Sequence, residues 1–532
     1  MSETSRLRSD PGGVRARAGA TALALARALA RGARACLRAW RRIPRAGRAC
    51  ALIAFLNVVI WSVIIPPFMV PDEITNFGYA QYLAETGKAP PQTPGAVQFS
   101  PQEYEALQQT GFYTVIGSQF NRGVFTTADQ AALRSGLAAS NQPLGPGGAS
   151  TATNQPPLYY ALEAVPYWLS PSNNILTRLV FMRVLSALMA AGTVLAVFLF
   201  LRELMPGTRW AWTVGALIVA FQPMFAFIGG GVNGDNLLYL ASALTFLAIA
   251  RAWRRGLSTG RAAAIGGVLA VGMLAKLTFL ALVPGAGLAV LALTWRARPA
   301  GTRRALTMLG TAVAVAAVPV GIYLLANATV WGRGSALAGG LSSVTSASGP
   351  ISGGSAGGAG WHAYADYMWE LFLPRLPFMN HIYFPTGWPL WWLWLNGSIG
   401  HFGWLDYTFP NWVYADFRWL VYALAGLAVI GVWRLRRQIR PLIGLFACFT
   451  AMAAGLMAVI GYLSAQAAFS QQPFFPQARY LFPLLALYGL AIVLATKALP
   501  RRWAPILGAL LVALALAHNL FAETLTISRY YG

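Results

Sequence analysis

Two adjacent carboxylates, Asp72 and Glu73, follow directly on an apolar segment in the run Val70-Pro71-Asp72-Glu73. Pro66 and Pro67 end the apolar helix, and Pro71 suits the first position of a new one, with the acids in its first turn. A carboxylate placed there, at a membrane surface, can take the proton of a hydroxyl as a general base. The same residues can also do no more than cap a helix and pair with its dipole. Ile74, Phe77, Ala80 and Ala84 give this helix an apolar face suited to resting on the membrane.

Further candidates lie scattered along the chain. Asn154-Gln155-Pro156-Pro157-Leu158-Tyr159-Tyr160 can present amides and phenols to a sugar, or form a proline-fixed turn with interfacial tyrosines. Gly229-Gly230-Gly231-Val232-Asn233-Gly234-Asp235-Asn236 is a short turn whose glycines let the backbone approach a ligand closely. Asp235 and Asn236 equally suit a helix cap. Lys276 falls where two short apolar segments meet, so it needs an anionic partner or must snorkel. Arg178, Arg183, Arg418 and Arg479 also lie at segment ends, where a lipid phosphate would supply the missing negative charge. Gly400-His401-Phe402-Gly403-Trp404-Leu405-Asp406 places His401 and Asp406 within reach of a substrate. Residues 361–419 hold nine of the 19 tryptophans, which read mostly as interface anchors with one or two free to stack on a sugar. Four scattered histidines (His362, His381, His401, His518) give no catalytic zinc site. No cofactor is expected, and no Gly-rich nucleotide motif occurs on the cytoplasmic side. Asp72 and Asp235 could hold a divalent ion if brought together.

The elements that must position these residues are membrane spans. The chain is 57% hydrophobic and only 11% charged, against about 25% charged in soluble domains. Its apolar residues come in blocks of about 20, the length that crosses a bilayer core. Spans are expected near 50–66, 179–201, 210–228, 236–250, 262–275, 279–295, 305–326, 418–433, 441–463, 480–497 and 503–521. The net charge of +24 does not imply nucleic acid, because 12 arginines fall in the tail up to Arg48 and most others in short loops. With the N-terminus inside, 29 of 40 basic residues are cytoplasmic and only Glu3, Asp10 and Glu203 of 16 acids are. That is a positive-inside pattern, and it requires 262–295 to cross twice. Cys36, Cys50 and Cys448 are too few and too scattered for a disulfide framework, and read as small apolar residues.

Four regions result. Residues 1–48 form a basic Arg/Ala-rich tail, either disordered or a surface helix with Arg27, Arg31, Arg34, Arg38, Arg41 and Arg45 on one face. It is too long, and lacks a small-residue cleavage site, for a signal peptide. Residues 49–330 form a transmembrane module with a long outer loop, 67–178. Residues 331–417 form a second outer loop with a Gly/Ser-rich flap from Gly339 to Gly360, and 418–532 are the final helices, ending outside. Two long loops on one face are where binding and catalysis usually sit.

Four stretches, in this order and span context, resemble a bacterial family of predicted polytopic membrane proteins known only as a domain of unknown function. They are Pro67-Phe68-Met69-Val70-Pro71-Asp72-Glu73, Asn233-Gly234-Asp235, Gly403-Trp404-Leu405-Asp406 and Gln477-Ala478-Arg479-Tyr480-Leu481-Phe482-Pro483. That family is grouped with the C-type membrane glycosyltransferases, and the likeness runs from about residue 50 to 500. The resemblance implies an all-α polytopic fold of the C-type glycosyltransferase kind, with about 11 transmembrane helices in a bacterial inner membrane. It implies a polyprenyl-phosphate-linked sugar donor used on the periplasmic side, and a glycan, lipid or protein acceptor. Asp72 maps to the base, with Glu73 the adjacent alternative. Gln155, Tyr159, Arg183, Asp235, Lys276, His401, Asp406, Arg479 and Tyr480 are the substrate-binding candidates. Related protein-mannosyl and lipid A aminoarabinose transferases often place a histidine where Gln155 stands. A lipid-linked-sugar flippase and a surface-polysaccharide polymerase or ligase are the alternatives.

Overall fold

The computed structural model describes residues 40–91, 99–121, 123, 126–139, 151–333, 361–379, 389–469 and 476–532. The Gly/Ser-rich flap, His381, Trp388 and the tail arginines before Trp40 lie outside them. Met1–Ala49 and Cys50–Gly532 are two separate compact units, and all that follows concerns the second.

Among the described residues nine helices are long and apolar enough to cross a membrane: Arg45–Ile64, Ile175–Leu204, Asp235–Arg255, Leu277–Ala300, Thr302–Thr329, Asn411–Arg434, Arg436–Phe469, Ala478–Thr496 and Ala504–Tyr531. The pair Arg209–Ala220 and Pro223–Gly229, bent by 63°, makes a tenth. Each matches an expected span. The remaining one is the helix Thr259–Ala275, whose 17 residues fall short of that length; at 1.5 Å per residue they rise only about 25 Å. The chain is an all-α multi-pass membrane protein. Helices predominate because a bilayer core offers no partner for unpaired backbone groups, and a helix satisfies its own.

Asp235–Arg255 is central, with 78% of its apolar window buried, and Asn411–Arg434 is peripheral at 6%. Without a hydrophobic drive in lipid, helices associate through close packing over small residues. A Cβ on Gly266 would lie 2.3 Å from the Ala312 carbonyl oxygen, and one on Gly431 only 1.9 Å from that of Leu494. At the end of the bundle with the short Arg-rich connections, Glu203 accepts from Arg251 at 3.1 Å and pairs with Arg255 at 2.6 Å.

The opposite end carries the long connections. There the helix Glu73–Thr86 starts two residues later than expected, because Asp72 is its N-cap and Pro71 stands outside it. Its apolar face does not rest on a membrane: Ile74, Phe77 and Ala80 are buried within the protein, and Phe77 packs on Phe68 and Tyr167. This helix instead runs against Leu158–Leu169. The one strand pair among the described residues sets His401 opposite Thr408 and Phe402 opposite Tyr407. Of the tryptophans in 361–419, Trp412 and Trp419 are exposed as anchors would be, whereas Trp394 is buried and donates to the Leu371 carbonyl. Cys50 and Cys448 are free and buried.

Candidate functional site

The site begins with a strained turn. Phe68, Asp72 and Leu405 have φ of 66°, 63° and 63°, and are the only non-glycine residues with positive φ among those described. This region is unfavourable for a side chain with a Cβ, and such residues persist only where their surroundings over-determine them. The Asp72 carbonyl accepts from Thr75 Oγ1 at 3.0 Å and Asn76 Nδ2 at 2.6 Å. Asn233 Nδ2 donates to the Pro71 carbonyl at 2.8 Å, and the Trp404 indole donates to that of Phe68 at 3.1 Å. An N-cap aspartate ordinarily accepts from its own helix. Asp72 makes no such bond; its Oδ2 accepts from Arg479 Nη2 at 2.5 Å, across 407 positions of sequence.

Arg479 opens the 3₁₀ turn Ala478–Leu484 and is 2% exposed. Tyr239 donates to its carbonyl at 3.1 Å. Its Nη1 lies 3.5 Å from Asp235 Oδ2, and Asp235 Oδ1 accepts from Lys276 Nζ at 2.6 Å. Four charges therefore alternate in the order Asp72, Arg479, Asp235, Lys276. Lys276 occupies the break after Thr259–Ala275, where the sequence demanded an anionic partner, and Asp235 is that partner. The dense surroundings of Asp72 push its carboxyl up, but Arg479 and Lys276 together hold it below its ordinary value. Gln155 Oε1 accepts from the backbone of Leu277 at 3.1 Å, beside Lys276.

Glu73 does something different from its neighbour. It is fully buried, and Arg183 meets it at two points, Nε to Oε1 at 2.8 Å and Nη2 to Oε2 at 2.6 Å. Its Oε1 also accepts from Val232 N at 2.9 Å. Arg183 spends its remaining donors on the carbonyls of Ser62, Ile65 and Pro66. These bonds tie the end of the first span to the start of the helix and to the glycine turn. In that turn the backbone closeness serves packing rather than a ligand: a Cβ on Gly231 would lie 2.6 Å from Val70.

Tyr159 and Tyr160 are buried in the core, not set at an interface. Tyr160 donates to Asn76 Oδ1 at 3.1 Å and stacks on Tyr79 at 3.7 Å. Tyr159 shares a 3.1 Å hydrogen bond with Ser186, which donates to Glu163 Oε1 at 2.9 Å. Burial pushes the Glu163 carboxyl up to about 8, against the opposing pull of those two hydroxyls. Glu163 carried no signal in the sequence, since its partner Ser186 lies a span away.

His401 and Asp406 part company. Asp406 is buried against Arg529 at 3.2 Å, and Arg529 also donates to the carbonyls of Val115, Ser118 and Asn121. His401 Nε2 lies 3.0 Å from the Leu405 carbonyl. A carbonyl can only accept, so Nε2 carries the proton and Nδ1 is left as an acceptor. Burial holds this imidazole below its ordinary pKa. His401, Leu405, Gln477 and Arg479 line one open cleft of about 300 Å³, so His401 stands on the Arg479 side of the site. Tyr480 lies beneath the Arg479 guanidinium, its ring centre 5.5 Å away. Among the described residues no group of three or more His, Cys, Asp or Glu could hold a metal ion. Asp72 and Asp235 do converge, on the guanidinium of Arg479.

Fold and site together define a multi-pass α-helical membrane protein with a compact, charge-alternating cluster at one end of its bundle. A family model described as "Predicted membrane protein (DUF2142)" matches residues 55–488, and the chain belongs to that family. No curated protein matches it in sequence. Among solved structures it is similar to the oligosaccharyltransferase AglB of Archaeoglobus fulgidus in complex with an inhibitory peptide and a dolichol-phosphate. The identity is 14% and the TM-score 0.40, over 91% of this chain and 56% of that one. The oligosaccharyltransferase of the same organism tethered with an acceptor peptide gives 12% and 0.38, over 91% and 55%. The chain thus spans little more than half the length of these proteins, and likeness at this level assigns neither residues nor activity.

Proposed function

We propose that this protein is an inverting membrane glycosyltransferase that moves a sugar from a polyprenyl-phosphate donor to an acceptor hydroxyl on the periplasmic face. One observation carries the reading. A half-exposed carboxylate, Asp72, shares the buried guanidinium of Arg479 with a second acid that holds Lys276. A base and two phosphate-binding cations thereby meet within one cluster.

In the reaction, Asp72 takes the proton of the acceptor hydroxyl. The acceptor oxygen attacks C1 of the sugar from the face opposite the lipid phosphate. The bond from C1 to the phosphate oxygen breaks, and its electron pair leaves on polyprenyl phosphate. Arg479 and Lys276 offset the charge that grows on that phosphate, the kind of preorganised electrostatic help that is often the largest catalytic term. Asp235 keeps both cations in place. Arg183, expected beside them at the phosphate, is engaged by Glu73 and holds the turn instead. A flippase would place its charges near mid-bilayer, whereas these lie at helix ends and breaks.

The test is direct. Purified protein is incubated with a panel of polyprenyl-phosphate sugars and release of polyprenyl phosphate is measured. Release by the wild type, reduced about 10²- to 10⁴-fold in Asp72→Asn, is expected of a general base. Full activity in Asp72→Asn removes Asp72 from the chemistry.

A further inference from the structure

In the empty site the base is held by the group that must hold the donor. We propose that the Asp72 carboxylate occupies Arg479 as an internal stand-in for the donor phosphate, and that donor binding displaces it, so that the base is freed only on a loaded enzyme. The inference rests on the lipid-phosphate-donor reading and adds an order of events to it.

The two acids on Arg479 are not equivalent. Asp235 is 2% exposed at its side chain. It is gripped by both Lys276 and Arg479, and its backbone nitrogen donates to Asn233 Oδ1 at 2.9 Å. The Asp72 side chain is 41% exposed, and its one recorded hydrogen bond runs to Arg479 Nη2. Its backbone is pinned through Thr75, Asn76 and the Pro71 carbonyl. The carboxylate can therefore swing away by side-chain rotation alone, while the turn and the pair of Asp235 with Lys276 stay in place.

The cations are also incompletely used. Arg479 Nε and Nη1 are buried and have no hydrogen-bond partner, a costly state for charged donors. Lys276 makes one recorded hydrogen bond, to Asp235, and its side chain is 18% exposed, leaving two of the three ammonium donors free. A phosphate oxygen offers acceptors to all of these at once, which a single carboxylate oxygen does not. Charge points the same way. The empty cluster is balanced, two acids against two cations. An arriving phosphodiester adds one negative charge, and the group that gives way is the one nearest solvent. Once off the guanidinium, Asp72 loses the partner that weakens it as a base. One exchange then loads the donor and arms the base, so donor precedes acceptor.

The experiment uses the full chain in lipid nanodiscs and polyprenyl phosphate without a sugar, so that no turnover occurs. Because Asn removes a competing anion, Asp72→Asn should bind polyprenyl phosphate more tightly than wild type. About fivefold is expected for a partly exposed ion pair, in a variant that no longer transfers sugar. Lys276→Met should bind more weakly. Equal or weaker binding by Asp72→Asn overturns the displacement while leaving the transferase reading intact. Failure of the wild type itself to bind polyprenyl phosphate overturns both. A second measurement needs no variant: carbodiimide labelling of Asp72 in the wild type, followed by peptide mass spectrometry. Labelling should rise when polyprenyl phosphate is added, since the carboxyl leaves its cation; unchanged or reduced labelling rejects the exchange.

Discussion

Glu73 and Arg183 form a two-point ion pair out of contact with water, at 2.8 and 2.6 Å, one residue along the chain from a carboxylate that keeps 41% of its side chain exposed. Adjacent acids are thus divided between holding and reacting. Removing one partner of a buried pair strands the other charge, at a cost of about 3–5 kcal/mol. Arg183→Met and Glu73→Gln should therefore lower the melting temperature in detergent markedly. Asp72→Asn should leave it near that of the wild type. A Glu73→Gln protein that melts normally yet transfers no sugar would return Glu73 to the chemistry.

Asp235 acts through its two cations, which makes a statement about additivity. Lys276→Met and Asp235→Asn should each slow transfer by about 10²- to 10³-fold, as expected when one preorganised charge contact is lost. Because the two residues share one interaction, the double variant should be little worse than either single one. The quantity to measure is the coupling term of the double-mutant cycle in turnover at saturating donor. Costs that simply add would mean that the 2.6 Å contact between them plays no part in the reaction.

The charged members of the site were legible because charge is scarce in this chain. Lys276 in an apolar setting demanded an anion, and Asp72 and Asp235 stood out in turns beside spans. Their pairings were not legible, since Asp72 finds Arg479 only across 407 positions. Spacing along a helix shows that a face is apolar but not what covers it, so Ile74, Phe77 and Ala80 read as a membrane face and are in fact core. Likewise Pro71 before two acids suggested a helix start, but the left-handed backbone at Asp72 is set by Asn76, Thr75 and the turn around Asn233 rather than by local preference. Asp406 and Arg183 were read as substrate contacts because they are charged and near the right end. Both have buried partners, Arg529 and Glu73, that no spacing rule connects to them.

Glu163 gives the molecule a pH dependence of its own. Its carboxyl is raised from an ordinary 4.5 to about 8, so the folded protein favours the protonated form. A group raised in this way contributes stability that is fully present below its ordinary pKa and is lost as pH climbs through the folded value. The wild type should therefore lose thermal stability as pH rises from about 4.5 to about 8. Glu163→Gln imitates the neutral carboxyl and keeps an acceptor for Ser186, so its melting temperature should vary less over the same interval and exceed that of the wild type at the alkaline end. The difference between the two melting curves isolates Glu163 from every other titrating group. Two curves that run parallel would mean that Glu163 is ionised in the folded protein and that Ser186 and Tyr159 suffice to hold its charge.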